Sequence, residues 1–268
     1  MNDLTIQKVE TEEERRDFLS FPWKVYQDDP YWVPPIFSER MEFTDPEHNP
    51  FFDHAEVDFF SAVRGEEIVG TIAVFANHRH NEFQGENVAF FGFFEVSEDF
   101  EAAQLLFERA ETWAREHGYD ALRGPAQFST NDECGLLVDG FDDRPRILTT
   151  YNPRYYAGFL EQLGYQKARD LWAYQLSVKE FMEKTGERLD KLTTRILERK
   201  NIKIRNLDMS IFYDEVNKVK ELYNNAWSKN WGFVPMTDAE FDKLARDLKP
   251  ILDPDVVFAS SMHEQVRN

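Results

Sequence analysis

The sequence predicts an α/β fold: a mixed, mostly antiparallel central sheet flanked by helices, followed by a partial second copy of the same element order. Three observations carry this. Residues 57–63 (VDFFSAV) and 68–76 (IVGTIAVFA) are β-rich runs joined by a short polar turn, the mark of an antiparallel hairpin. Residues 88–96 (VAFFGFFEV) are apolar on both faces, as in a central strand. Residues 100–117 then repeat Phe100, Ala103, Phe107, Ala110, Trp113 and Ala114 at helical spacing, with Gly118 as a stop.

The other elements follow in order. Residues 4–9 (LTIQKV) alternate as a short strand. Thr11 is an N-cap, and Glu12, Glu13 and Glu14 sit where a helix dipole favours acids, so a helix runs to about Tyr26, disturbed near Pro22. A proline-rich turn (DDPYWVPPI) leads to a short helix at 37–41. Residues 121–123 begin a strand that opens into GPAQFSTNDECGLLVDGF (124–141). A helix at about 153–163 ends at Gly164, and 171–176 reads as the last strand of a first domain, 1–178. An amphipathic linker helix at 179–202 follows.

Residues 203–268 repeat the opening order: strand candidate 203–206, helix 213–229, helix 238–248 and strand 256–259. FVPM (233–236) falls where WVPP (32–35) fell. This is read as an incomplete second domain whose unpaired edge at 256–259 can form a homodimer.

Composition narrows the function. Hydrophobic residues make up 42% of the 268, enough for a packed core. The net charge of −19 repels nucleic acid unless a basic patch is set apart. The one basic stretch, 179–205, holds nine Lys/Arg against five Asp/Glu and reads as an exposed helix, so no nucleic-acid partner is expected. One cysteine allows no internal disulfide and no Cys-based zinc site. No apolar run is long enough to span a bilayer, and the acidic N-terminus lacks a signal core, so a cytoplasmic protein is expected.

The element order and the segment YYAGFLEQLGYQKARDLWAYQL (155–176) resemble the GNAT superfamily of acyl-CoA-dependent N-acyltransferases. GFFE (92–95), the stretch 124–141, YNPRYY (151–156) and KARDLWAY (167–174) resemble more narrowly its YghO-like and bacterial ceramide synthase-like group. The resemblance implies transfer of an acyl group from acyl-CoA or acetyl-CoA, as cosubstrate, to an amine acceptor, with no metal. It implies a donor arm that pairs with an open strand edge, and a pyrophosphate held at the start of the helix after the fourth strand. The superfamily's glycine-rich signature there, R/Q-x-x-G-x-G/A, is replaced by SEDFEAAQLL (97–106). Glu98, Asp99 and Glu101 use the positive end that a pyrophosphate needs. The usual cofactor site is therefore expected to be missing, and a noncatalytic ligand- or partner-binding module is the alternative function.

Each candidate site residue also has a structural reading. Glu95 ends the apolar strand and can be a general base, or a strand-end carboxylate. Phe128, Ser129, Asn131, Asp132 and Glu133 follow the fifth strand and can wall a pocket, or close an Asx turn. Asn152 belongs to the same candidate wall. In the superfamily's last helix a tyrosine reprotonates the thiolate. The usual position falls at Leu160 here, so Tyr155 or Tyr156 would substitute, against core packing with a bonded hydroxyl. Cys134 can be a nucleophile only with a histidine base, and the favoured reading is an unreactive thiol. His78 and His80 lack a third metal ligand and read as exposed loop residues.

Overall fold

The computed structural model describes residues 3–262. The chain divides into two compact units. One is formed by the chain up to Asp170 together with Trp227–Glu240, the other by Leu171–Ala226 together with the chain from Phe241. These boundaries differ from those expected at 178 and 202. Residues 171–178 group with the second unit and 227–240 with the first.

The first unit is built on a five-stranded sheet in the order β1 (Leu4–Lys8), β2 (Ala55–Arg64), β3 (Glu67–Asn77), β4 (Val88–Val96) and β5 (Ala121–Arg123). The first three pairings are antiparallel and the last is parallel. Between β1 and β2, Thr11 caps α1 (Glu12–Ser20) with a full capping box. Its Oγ1 accepts from the Glu14 amide at 3.2 Å, and Glu14 Oε2 accepts from the Thr11 amide at 2.9 Å. Pro22 splits the expected single helix, and α2 (Pro22–Val25) starts on it because the first turn needs no N–H there. α3 (Phe37–Phe43) follows.

Two cores flank the sheet. On one face α5 (Phe100–Glu116) sets Leu106, Phe107, Ala110 and Trp113 against Ile72, Val74, Phe91 and Phe94. The buried Trp113 Nε1 donates to Asp58 Oδ2 at 3.0 Å, so the indole leaves no unpaired donor. On the other face Phe18, Phe51, Phe59, Phe75, Phe90 and Phe128 form an aromatic layer under α1. α6 (Tyr155–Gln162) adds Tyr156, Phe159 and Leu160 to the first core.

A β-bulge interrupts β4. Ala73 faces Gly92 and Thr71 faces Glu95, so Phe93 and Phe94 together stand opposite Ile72. Phe93 takes a left-handed conformation at φ 47°. Before the bulge Ala89 and Phe91 face the α5 core; after it Phe94 and Val96 do. One extra residue thus exchanges the faces, and Glu95 points to the side opposite α5.

β5 pairs with β4 over only Val88–Phe90 against Ala121–Arg123. The chain then crosses β4, with the Ala126 amide donating to the Phe91 carbonyl at 2.9 Å. Glycine permits the crossing at both positions. A Cβ on Gly92 would stand 1.8 Å from the Ala126 carbonyl oxygen, and one on Gly124 2.3 Å from that of Phe91.

Two expectations are corrected. Residues 171–176 form no strand, and Leu171, Trp172, Tyr174 and Leu176 are exposed. The apolar alternation was there, but a strand exists only where a neighbour takes its ladder bonds. His78 and His80 are not in a loop: they open α4 (His78–Gln84), and His80 is buried with Nε2 2.9 Å from Glu86 Oε2.

The second unit contains α7 (Val178–Lys200), β6 (Ile202–Asn206), all but the last residue of α8 (Phe212–Trp227), most of α9 (Asp238–Leu248) and β7 (Phe258–Met262). β6 and β7 pair antiparallel, as β1 and β2 do, and two helices separate them in sequence. The expected strand at 256–259 begins two residues later, because Pro254–Val256 takes a 3₁₀ turn. Glu215 is buried and carries two cations, Arg205 at 2.7 Å and Lys218 at 2.9 Å.

The crossing at Gly92 gives a first prediction. Gly92→Ala should destabilise the first unit by about 2–4 kcal/mol, because backbone rather than a flexible side chain must move. Urea denaturation of the variant beside the parent checks this; an unchanged midpoint would contradict the crossing.

Candidate functional site

The bulge delivers the Glu95 carboxylate to a ring of hydroxyls. Tyr26, at the end of α2, donates to Glu95 Oε2 at 2.8 Å, and Tyr156 donates to the same oxygen at 2.7 Å. Tyr26 is fixed by Trp32, whose ring stacks on it at 4.9 Å and 11°. Loss of solvation around the carboxyl pushes the Glu95 pKa up to about 7, against the lowering effect of the two tyrosine bonds and the Arg40 charge. Both donors address one oxygen, so Oε1 is the oxygen that neither tyrosine engages. A carboxylate that exchanges its proton near neutrality is chemically suited to act as a base.

Tyr155 and Tyr156 sit at the start of α6 and reach the edge of β4 beyond β5. The Val96 amide donates to Tyr156 Oη at 2.7 Å, and Tyr155 Oη donates to the Val96 carbonyl at 2.6 Å. The backbone edge left when β5 departs is thus closed at Val96 by side chains. Burial raises both phenol pKa values, and the Glu95 charge raises them further.

The polar run after β5 is engaged by the fold itself. Phe128 is buried, with φ 78°, and its ring stacks on Phe51 at 4.6 Å. Ser129 Oγ donates to Asp132 Oδ2 at 2.9 Å. The Asn131 side-chain amide donates to the Val234 carbonyl at 3.1 Å, and Thr130 Oγ1 donates to that of Gly232 at 2.8 Å. Both Glu133 carboxylate oxygens accept from the one nitrogen Arg40 Nη2, at 3.0 and 2.9 Å, while Arg40 Nη1 donates to Gln127. Asn152 is buried, with Oδ1 accepting from the Leu137 amide at 2.7 Å, so it closes the 137–152 loop.

Glu95 is thereby brought together with Tyr156 by direct contact, and with Arg40 and Glu133 through their charges. Asn131 and Asn152 go elsewhere. Asp132 is desolvated, and the charges of Glu240 and Glu133 add to that, so its pKa rises to about 7 although Ser129 opposes.

No sequence signal marks Arg40, Tyr26 and Trp32 as neighbours of Glu95. WVPP marked the neighbourhood, but nothing local links α2 or α3 to a strand end more than fifty residues on. Cys134 is not activated. Burial pushes its thiol up to about 11, and Asp132 adds to the effect, so the thiolate needed for attack is scarce at neutrality. Among the described residues no group of three or more His, Cys, Asp or Glu could hold a metal ion.

The start of α5 is held by its own acids and a neighbouring arginine. Asp99 caps it, its side chain accepting from the Ala102 amide at 3.2 Å. Arg64 pairs with Asp99 at 2.8 Å and with Glu101 at 3.0 Å. The helix end is occupied by carboxylates, and the nearby cation is committed to them.

The chain is similar to known proteins. Residues 11–131 match the profile of the acetyltransferase (GNAT) family. A bacterial ceramide synthase of Caulobacter vibrioides (strain NA1000 / CB15N) is 37% identical over 264 residues, covering 97% of this chain and 67% of that protein. Protein YghO of Escherichia coli (strain K12) is 32% identical over 247 residues, covering 91% of this chain and 62% of that protein. The chain thus spans about two thirds of the length of these relatives. The crystal structure of an aminoglycoside acetyltransferase, meta-AAC0020, in complex with sisomicin aligns with a TM-score of 0.41 at 12% identity, covering 65% of this chain and 97% of that one.

The raised carboxyls predict a pH dependence. Glu95 and Asp132 hold their protons more tightly folded than at their ordinary values of 4.5 and 3.8. The stability they add is full below those values and is lost as the pH rises through about 7. Glu95→Gln should therefore lose less stability than the parent between about pH 4 and pH 8 in urea denaturation. Tyr26→Phe removes a bond to the charged form, so it should move the Glu95 titration upward, read by carboxyl-carbon NMR with Glu95→Gln as the assignment control. A downward move, or none, would show that Tyr26 does not hold the carboxylate.

Proposed function

The chain belongs to the acetyltransferase (GNAT) family, alongside the bacterial ceramide synthase and YghO relatives, and on that premise we propose that it transfers an acyl group from acyl-CoA to an amine. The observation that carries the reading is Glu95: a carboxyl at the end of β4, titrating near 7, with both tyrosine donors on one oxygen. In this reading Glu95 Oε1 takes a proton from the acceptor ammonium. The free amine attacks the thioester carbonyl, the attacking nitrogen gives up its second proton to solvent water, and the carbon–sulfur bond breaks to release the thiolate. Tyr156, which touches both Glu95 and Val96, hands its proton to that thiolate and is restored from Glu95. Tyr155 acts as a positioning residue through its bond to the Val96 carbonyl.

One relative's name, ceramide synthase, supports a long acyl chain as the group transferred. The donor's pyrophosphate, in this reading, is not held at α5, where Asp99, Glu101 and Arg64 already satisfy one another.

The second reading is a noncatalytic binding module on the same scaffold. It is favoured by that same occupied helix end and by the two hydroxyls on Val96. Titration with acetyl-CoA and a long-chain acyl-CoA, with product analysis on a panel of amines, separates the readings. Acyl transfer is expected, with kcat/KM rising through a pH near the Glu95 value of about 7. Glu95→Gln should lower kcat by about 10²–10⁴-fold while leaving donor affinity in place. Saturable ligand binding without turnover would favour the module, and no binding of either thioester would remove the donor assignment.

A further inference from the structure

α7 carries three separate rows along its 23 residues. Val178, Met182, Leu189, Leu192 and Ile196 recur on one side and are exposed. Lys184, Arg188, Lys191, Arg195 and Arg199 form a second row along one border of that stripe, also exposed. Glu180, Glu183, Glu187, Asp190 and Glu198 fall on the far side. Among the described residues, Lys191 has an ion-pair contact with Glu187 at 3.9 Å, both well exposed. Just before the helix, Trp172 and Tyr174 are 76% and 88% exposed and lie ring over ring at 6.5 Å and 22°.

We propose that α7 and the segment before it form a surface that lies on an anionic lipid bilayer. The stripe supplies the apolar contact, and the cationic row reaches the head groups from its border, with the long stems covering apolar surface. Tryptophan and tyrosine suit the boundary between hydrocarbon and water, and here a pair of them is displayed where no core takes them up. The net charge of −19 would oppose an anionic surface at long range, but at cellular salt that repulsion is screened within about 8 Å. The cations of α7 act inside that distance. A folded protein partner would more simply meet an uncharged border; a row of five cations beside the stripe matches a sheet of phosphate groups. This inference is independent of the acyl-transfer reading, since it uses no residue of that site.

Flotation of the full chain with unilamellar vesicles tests it. The chain should float with vesicles of phosphatidylcholine and phosphatidylglycerol, should not float with phosphatidylcholine alone, and should be released by high salt. Lys184→Glu with Arg188→Glu and Arg195→Glu should lower partitioning by at least about tenfold. Leu189→Glu with Leu192→Glu should abolish it. All these positions are exposed, and circular dichroism with urea denaturation would confirm that the variants fold. Flotation that is absent, or that survives both sets of changes, overturns the proposal. Sedimentation equilibrium on the same samples then shows whether a second copy, displaced by Leu189→Glu with Leu192→Glu, covers the stripe instead.

Discussion

The arrangement of the first unit depends on one extra residue in β4. Without the bulge at Phe93–Phe94, the alternation that sends Ala89 and Phe91 into the α5 core would send Glu95 there too. A carboxylate among Leu106, Phe107 and Trp113 would have no donor and would stay protonated. The bulge instead keeps Phe94 and Val96 in that core and turns Glu95 toward Tyr26 and Arg40. The left-handed conformation of Phe93 costs of order 1 kcal/mol. Phe93 is held there by Phe18, Phe43, Phe59 and Phe128, whose rings lie within 6.5 Å. Aromatic packing on one face thus fixes the aim of a polar group.

The same geometry opens β4 on its other side. Once β5 leaves, the Val96 amide and carbonyl need partners, since buried backbone groups are rarely left unpaired. Tyr155 and Tyr156 supply them. Asp99 does the same for the first turn of α5. Both places are where the family resemblance implies contacts with a donor. The unit thus satisfies its own backbone at these positions, and under the proposed function a thioester donor would have to displace tyrosine hydroxyls or lie elsewhere. Tyr156 couples this to Glu95, because its hydroxyl spans the strand edge and the carboxylate.

Much of the fold was legible because its signals are local. The capping box at Thr11, the hairpin turn at residues 64–67 and the period of α5 each lie within one element. Glu95 was legible as a charge closing an apolar strand. Its partners were not, because the Tyr26 and Tyr156 contacts span 69 and 61 residues. The bulge was hidden too, since VAFFGFFEV is apolar throughout and gives no phase to read. The strand expected at 171–176 had pattern without a partner, and no pattern in a single strand reports whether a neighbour exists.

The polar run 129–133 shows the limit most clearly. Its composition suits a ligand pocket and an internal turn equally, and the structure uses it for a third purpose. Thr130 and Asn131 donate to the carbonyls of Gly232 and Val234, while Gln84 and Arg79 donate to those of Phe233 and Pro235. Four side chains thus hold successive carbonyls of a proline-containing stretch that makes no helix or strand of its own. Such a stretch must find donors somewhere, and polar side chains near a strand end are ready to give them. A loop that binds an amide ligand and a loop that binds its own chain need the same residues. Only the identity of what lies opposite, here about a hundred residues further along, decides between them.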